Sequence, residues 1–212
     1  MKVLGIVGSK RKSGNTAYLM GKAIDAVTSE EISGEIINLS DYSFQGCTGC
    51  EGCRKTFRCV LDDDMQLLYP RVMAADALIL GSPTYFYNLT ADMKAFIERF
   101  YCFQVFSSHD RSVWSSINEV MGIRYAVVMA VCEQDDEKDM GFTPEAISLP
   151  LEGLGYRVIQ SVRILHLYAQ GEAEKDGLAI DKARQAGAKL AETLRLKKEI
   201  EEKVKGAWFN QS

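Results

Sequence analysis

The sequence predicts an α/β fold, a doubly wound parallel sheet of five strands in a single domain. Short apolar runs alternate with segments of helical periodicity along the whole chain, which is the pattern of βαβ units. The run at 76–82 is apolar nearly throughout, as expected of a strand covered by helices on both faces. The 212 residues are 47% hydrophobic and 25% charged, the composition of an ordinary globular domain.

Strands and helices are expected in regular alternation. The predicted strands are 2–8, 33–39, 76–82, 124–132 and 156–165. The predicted helices are 15–28, 62–74, 90–103, 143–154 and 172–204. Two segments lie outside this pattern. A cysteine-rich loop occupies 43–60 after the second strand, and the irregular stretch at 104–120 is interpreted as an insertion.

Strands separated by helices indicate a parallel sheet with right-handed crossovers. Five such strands are typical of a flavodoxin-like sheet. In such sheets, ligands bind beyond the carboxyl ends of the strands, near the point where the strand order reverses. The loops after the first, third and fourth strands are therefore expected to bind the ligand.

Charge and composition exclude several classes of protein. With 25 Lys and Arg against 29 Asp and Glu, the formal charge is −4, whereas nucleic-acid-binding domains usually carry a basic excess. The first apolar run ends in the cations at 10–12 and is too short for a secretory signal. No window approaches the length of a membrane-spanning helix. We therefore expect a cytoplasmic protein with neither a nucleic-acid nor a membrane partner.

The loop after the first strand has the features of a phosphate site. Residues 8–16 read Gly-Ser-Lys-Arg-Lys-Ser-Gly-Asn-Thr and lead into a predicted helix. Hydroxyl groups, backbone amides and a helix N-terminus bind phosphates, and the three cations add attraction. The glycine spacing matches neither a Walker loop nor the dinucleotide fingerprint. An ordinary helix cap with a solvated basic loop is the alternative interpretation.

The loop after the third strand has the features of a ring-binding segment. Residues 81–90 read Gly-Ser-Pro-Thr-Tyr-Phe-Tyr-Asn-Leu-Thr. Small residues let the backbone approach a ligand, and the aromatic side chains offer flat surfaces to a planar ring system. Core packing of the aromatic residues is the alternative.

Four of the six cysteines fall within thirteen residues, in the spacing C-x2-C-x2-C-x5-C. They are Cys47, Cys50, Cys53 and Cys59. Close spacing of this kind is typical of iron–sulfur clusters, whereas zinc sites usually use two separated cysteine pairs. The spacing favours an iron–sulfur centre, with zinc and free or redox-active thiols as alternatives. Cys102 and Cys132 stand apart and are interpreted as small buried hydrophobic residues.

Together, these motifs resemble the NADPH-dependent FMN reductase family of flavodoxin-like proteins. The resemblance covers roughly residues 1–100 and rests on Gly8-Ser9-x-Arg11-x-x-Gly14-Asn15-Thr16, Gly81-Ser82-Pro83-Thr84-Tyr85 and Lys94-x-Phe96-Ile97-x-Arg99. It implies an FMN whose phosphate is bound by Ser9, Arg11, Ser13, Asn15 and Thr16. The flavin ring would lie against Pro83, Thr84, Tyr85, Phe86 and Asn88. From the loop after the fourth strand, the resemblance adds Ala130, Cys132 and Glu133.

The cysteine block, followed by Asp63-Asp64-Met65, resembles the iron-sulfur flavoproteins, a branch of the same family. This resemblance implies one [4Fe–4S] cluster, bound by the four clustered cysteines, beside the FMN. It also implies a homodimer or homotetramer.

The expected function is that of a flavin-dependent oxidoreductase that passes electrons between FMN and a [4Fe–4S] cluster. Candidate electron donors and acceptors are NAD(P)H, ferredoxin, quinones and oxygen species. Two alternatives stay open: an NAD(P)H-dependent FMN or quinone reductase without a cluster, and a non-catalytic flavodoxin-like electron carrier or redox sensor. No catalytic acid–base residue or nucleophile is predicted.

Overall fold

The computed structural model describes residues 1–209. Its strands are β1 (Lys2–Val7), β2 (Ser33–Asn38), β3 (Ala77–Pro83), β4 (Gln104–Phe106), β5 (Trp114–Ser116), β6 (Arg124–Val131) and β7 (Tyr156–Ile164). Its α-helices are α1 (Asn15–Thr28), α2 (Met65–Met73), α3 (Ala91–Glu98), α4 (Ile117–Met121), α5 (Thr143–Gly153) and α6 (Gly177–Phe209).

The main sheet has five parallel strands in the order β2-β1-β3-β6-β7. This is the flavodoxin-like order, whose switch point lies between β1 and β3, and the predicted fold class is confirmed. Val7 lies opposite Gly81, and Gly81 lies opposite Met129, so β1, β3 and β6 end near the same level. The loops after these strands therefore meet at one edge of the sheet.

Helices cover both faces of the sheet. Successive residues of β1 alternate between the two cores: Val3 and Val7 pack with α1 and α6, whereas Leu4 and Ile6 pack with α2, α3 and α5. Strand β6, between β3 and β7, is buried along its whole length. Burial on both faces explains why β1, β3 and β6 appear in the sequence as nearly continuous apolar runs.

Two helices begin later than predicted, and one ends earlier. Helix α2 begins at Met65 instead of 62, because the carboxylate of Asp63 accepts a hydrogen bond from the Met65 N–H and shapes a turn there. Helix α6 begins at Gly177 instead of 172, because Glu172 folds the preceding chain into a turn through its carboxylate, and it extends to Phe209 instead of ending at 204. Helix α3 ends at Glu98 and continues as a 3₁₀ turn over 99–103.

The stretch at 104–120 is ordered. It forms the antiparallel hairpin β4–β5 and then enters α4, whose N-terminus has a capping box between Ser116 and Glu119. The side chains of Ser116 and Asn118 both donate hydrogen bonds to the Leu154 carbonyl oxygen, which ties the segment to the end of α5. Its interpretation as an insertion stays a prediction.

The long helix α6 packs along α1 through small residues. A Cβ atom at Gly187 would lie 2.1 Å from the backbone oxygen of Ala23, so only glycine permits this close approach. Beyond Leu194, α6 extends past the core and its side chains are mostly exposed. Among residues 1–209, no helix has both the length and the apolar character needed to cross a membrane.

Candidate functional site

A cavity of about 290 Å³ opens at the carboxyl edge of the sheet, at the switch point. Its volume is close to the lower end of the range for small-molecule sites. Loops after β1, β3, β6 and β7 contribute to its wall. The lining residues are Ser9, Arg11, Gly14, Asn15, Thr16, Pro83, Thr84, Tyr85, Phe86, Val131, Glu133, Leu167 and Tyr168.

The loop after β1 presents a helix N-terminus to this cavity. The Ser9 hydroxyl accepts a hydrogen bond from the Arg11 N–H, and the Gly14 N–H donates to the Arg11 carbonyl oxygen, which folds the loop tightly. Gly14 caps α1 without a side-chain acceptor, and the first turn contains no acidic residue. The N–H groups of that turn are left for a ligand, and the helix dipole favours an anion. This end of the cavity fits a phosphate.

The three cations of the loop have different partners. Lys10 pairs with Asp92 at 2.6 Å, and Lys12 pairs with Asp41. Among these three, Arg11 alone lines the cavity. Of the three cations expected to attract a phosphate, Arg11 is therefore the one that does so at the cavity.

The loop after β7 also lines the cavity, which the sequence did not predict. Arg11 donates a hydrogen bond to the Tyr168 carbonyl oxygen at 2.8 Å, and its guanidinium lies 5.5 Å from the centre of the Tyr168 ring. The side-chain amide of Asn15 donates to the Ala169 carbonyl oxygen and accepts from the Ala173 N–H. The position of this loop at the carboxyl end of the fifth strand could have identified it.

The loop after β3 contains a strained turn. The N–H of Tyr85 donates to the Asn88 carbonyl oxygen at 2.7 Å, and the Asn88 N–H donates in return at 3.2 Å. Between them, Phe86 and Tyr87 have φ values of 50° and 65°, which bulky residues rarely adopt. Phe86 is 96% exposed, so core burial does not explain the turn. Strain of this kind concentrates at binding sites.

The cap of α3 joins the two principal loops. The Thr90 hydroxyl donates a hydrogen bond to the Gly8 carbonyl oxygen at 2.6 Å and accepts one from the Met93 N–H. The Thr90 N–H donates to the Ser82 hydroxyl. One threonine therefore holds the loops after β1 and β3 together at the start of α3.

Four of the predicted cofactor residues do not line this cavity in the described part of the chain. They are Ser13, Asn88, Ala130 and Cys132. Asn88 closes the turn through its backbone, and its side chain accepts a hydrogen bond from the Leu89 N–H. Cys132 is buried with Ala130 and Met140, which agrees with its interpretation as a small hydrophobic residue. A role for these four residues in cofactor binding stays a prediction.

All four clustered cysteines line a second pocket, beside the C-terminal end of α3. Cys47 and Cys50 are exposed, whereas Cys53 and Cys59 are half-buried. Cys102, on the 3₁₀ turn, is buried as predicted and also lines this pocket. Four thiolates form the donor set that an iron–sulfur cluster requires. Among the described residues, no three His, Cys, Asp or Glu side chains are grouped so that they could hold one metal ion.

The thiols of this pocket have different environments. Hydrogen bonds from the Gly52 N–H and the Thr48 side chain lower the pKa of Cys50. Burial raises the pKa of Cys53, and the neighbouring thiols raise it further. Burial also raises the pKa of Cys102 to about 12. Cys50 therefore ionises more readily than the other two.

A buried ion pair anchors the cysteine-rich loop. Arg99 donates hydrogen bonds to the two Asp63 carboxylate oxygens at 2.6 and 3.0 Å, and to the Gln45 carbonyl oxygen at 2.9 Å. Burial alone would raise the pKa of Asp63, but the hydrogen bonds from Arg99 outweigh it and lower the pKa. Arg99 therefore joins the residues on either side of the four cysteines.

The β4–β5 hairpin reaches the same loop. Arg111, between the two strands, pairs with Glu51 at 2.8 Å and donates a hydrogen bond to the Tyr101 hydroxyl at 2.5 Å. Glu51 and Tyr101 both line the cysteine pocket. The irregular stretch therefore contributes to the surroundings of the cysteines, a role that the sequence did not predict.

Helix α3 lies between the two sites. Its cap at Thr90 joins the loops of the first cavity, and Arg99 follows its last residue at the cysteine pocket. Helix α3 has eight residues and is therefore about 12 Å long. The distance between the cavity and the cysteine pocket along α3 is of this order.

The flavodoxin-like sheet has a helix N-terminus and aromatic rings at its switch-point cavity. This arrangement is typical of proteins that bind a nucleotide cofactor. The chain belongs to the NADPH-dependent FMN reductase family, whose profile matches residues 1–131. The predicted family is thereby confirmed.

Curated relatives and a solved structure extend this likeness. Iron-sulfur flavoproteins of Methanocaldococcus jannaschii and Archaeoglobus fulgidus are 39% and 40% identical to the chain over 99 residues, or 47% of its length. These matches support the predicted branch but cover only 51% and 45% of those proteins, so the chain spans about half the length of these relatives. An NAD(P)H:quinone oxidoreductase from Methanothermobacter marburgensis has the same fold, with a TM-score of 0.68 at 14% identity over 90% of this chain and 98% of that one.

Proposed function

We propose that this protein is a flavin-dependent oxidoreductase that binds FMN at the switch-point cavity and a [4Fe–4S] cluster on Cys47, Cys50, Cys53 and Cys59. One observation carries the proposal: four cysteines of a single short segment line one pocket, at the end of the helix whose cap joins the loops of the cavity. The relatives named iron-sulfur flavoproteins support it.

The two ends of the cavity would hold different parts of the FMN. The first turn of α1, with Ser9 and Arg11, would hold the phosphate. The segment from Pro83 to Phe86 would lie against the flavin ring, with the Tyr168 ring beyond Arg11. The exposed rings of Tyr85 and Phe86 offer a surface to a second planar molecule, such as a nicotinamide or a quinone.

The two groups supply complementary redox chemistry when bound: FMN exchanges one or two electrons, and the cluster exchanges one. The chain contributes ligands, hydrogen bonds to sulfur and a fixed separation along α3. The Gly49 N–H, for example, donates to the Cys47 sulfur at 3.4 Å. NAD(P)H, ferredoxin, quinones and oxygen species are the proposed donors and acceptors.

Cofactor analysis of two cysteine variants tests the proposal. Protein purified without air is expected to contain FMN, iron and acid-labile sulfide. Cys50→Ser removes one thiolate, so we expect most of the iron and sulfide to be lost while FMN stays bound. Cys132→Ser is the matched control, because this cysteine lies outside the pocket, and it should keep its iron. Wild-type protein that contains FMN but neither iron nor sulfide would contradict the proposal.

A reductase without a cluster is the second candidate. The family profile itself describes an NADPH-dependent FMN reductase, and no residue of the cysteine-rich loop at 43–60 lines the switch-point cavity. The FMN site therefore does not depend on the cysteines for its walls. This candidate predicts that NAD(P)H turnover with FMN or a quinone is the same in Cys50→Ser as in wild type.

A further inference from the structure

We propose that Arg99 sets the reduction potential of the cluster, through the buried positive charge of a side chain at the cysteine pocket and an N–H group without an acceptor among the described residues. The inference rests on the proposed function, since it concerns the cluster that the four cysteines would hold. Arg99 belongs to the family motif Lys94-x-Phe96-Ile97-x-Arg99, but the motif does not explain what this arginine does.

Arg99 lies buried at the wall of the cysteine pocket. Its side chain is 0% exposed, and it lines the pocket together with the four clustered cysteines. Its partner Asp63 does not line the pocket in the described part of the chain. Of the two members of the ion pair, Arg99 is therefore the one at the pocket wall.

The three guanidinium nitrogens of Arg99 differ in their hydrogen-bond partners. The two terminal nitrogens donate to Asp63 and to the Gln45 carbonyl oxygen. The Nε atom is buried and has no acceptor among the described residues. Buried donors without a partner are rare in folded proteins. A cluster in this pocket would bring sulfur atoms, which accept such hydrogen bonds.

The surrounding charges do not cancel this effect. Glu51 is the other charged residue in the lining, but it is partly exposed and already paired with Arg54 and Arg111. Solvent screens an exposed pair far more than a buried charge. Among the charged side chains that line the pocket, the guanidinium of Arg99 is therefore the one least screened by solvent.

The effect on the cluster has a definite sign. Reduction adds one negative charge, and a nearby buried positive charge stabilises the reduced form, as do hydrogen bonds to sulfur. Arg99 should therefore raise the reduction potential. Removing Asp63 should raise it further, because the carboxylate offsets part of the arginine charge.

Midpoint potentials of the cluster in the full-length holoprotein test the inference. In Arg99→Met, the reduced-to-oxidised ratio at a fixed potential should fall at least tenfold, which is 59 mV for a one-electron couple. In Asp63→Asn, the ratio should rise. Arg99→Lys keeps the charge without Nε, so it should recover part of the loss. Arg111→Gln, at an exposed arginine beside the same loop, is the matched control and should change the ratio less than threefold.

Opposite shifts in Arg99→Met and Asp63→Asn distinguish an electrostatic role from a structural one, because loss of an anchor would affect both variants in the same way. If Arg99→Met does not fold, Asp63→Asn and Arg99→Lys still give the sign. Shifts of the same direction, or no shift, in variants that retain their iron would overturn the inference and leave the proposed function standing. Wild-type protein without a cluster would overturn both.

Discussion

At the scale of single residues, Arg11 is the charged group that the loop after β1 brings to the cavity. Arg11→Gln removes the charge from the phosphate end, so FMN binding should weaken by about 1.5–3 kcal/mol, as for hydrogen bonds to charged groups. That corresponds to a dissociation constant roughly 10–150-fold higher, measured by flavin fluorescence on titration. Lys10→Gln is the control, since Lys10 pairs with Asp92 and does not line the cavity. Equal losses in the two variants would show that Arg11 acts only through the general charge of the loop.

Residue types were easier to predict than their partners. Serine, arginine and glycine at a strand end indicated a phosphate site, and the structure brings Ser9, Arg11 and Gly14 to one cavity. The sequence could not show that the amide of Asn15 would be used by the loop after β7, since that contact joins residues more than 150 positions apart. Long-range contacts of this kind depend on the whole fold.

At the scale of secondary-structure elements, the turn at 85–88 carries local strain beside the cavity. Phe86→Gly permits the positive φ without steric cost, which relieves roughly 1–2 kcal/mol and loses about 0.5–1 kcal/mol to chain entropy. The variant without FMN should therefore be more stable by up to about 1.5 kcal/mol in urea unfolding. Its FMN affinity should fall, because a ring is lost from the cavity wall.

Phe57→Gly is the matched control for this turn, because Phe57 also has a positive φ, of 54°, but lies outside the cavity. It should leave FMN affinity unchanged. If Phe86→Gly binds FMN as tightly as wild type, the strained turn does not serve the flavin.

The contact between α6 and α1 makes a second prediction at this scale. Gly187→Ala would place a Cβ atom 2.1 Å from the Ala23 oxygen, so the free energy of unfolding should fall by about 1–3 kcal/mol, as in an overpacked core. Gly206→Ala, on the same helix but in open space, should instead raise it by about 0.5–1 kcal/mol. Thermal unfolding of the two variants measures both effects, and the same sign in both would refute this account of the helix contact.

The existence and order of the elements followed from the sequence, but their ends did not. Nearly continuous apolar runs predicted β1, β3 and β6, because burial on both faces demands them. The edge strands β2 and β7 are only partly buried, and their place between helices predicted them. The starts of α2 and α6 depend on hydrogen bonds that the carboxylates of Asp63 and Glu172 accept from backbone N–H groups, which periodicity does not reveal. The β4–β5 hairpin has only three residues in each strand, too few for a pattern to emerge.

At the scale of the whole molecule, two sites lie at opposite ends of one short helix. The switch-point cavity follows from the strand order, whereas the cysteine pocket is lined by the loop after β2 and the 3₁₀ turn, with the hairpin in contact through Arg111. The sequence predicted the four cysteines but not the enclosing arginines or Cys102, because their proximity arises only in the folded chain. Cytoplasmic location and assembly into a homodimer or homotetramer stay predictions.

The central proposal is that one chain holds two redox groups, FMN and a [4Fe–4S] cluster. The most direct measurement is an anaerobic reductive titration of the purified holoprotein, followed by visible absorbance. We predict uptake of about three electrons per chain, two by FMN and one by the cluster. Uptake of about two electrons, with the absorbance changes of a flavin alone, would contradict it.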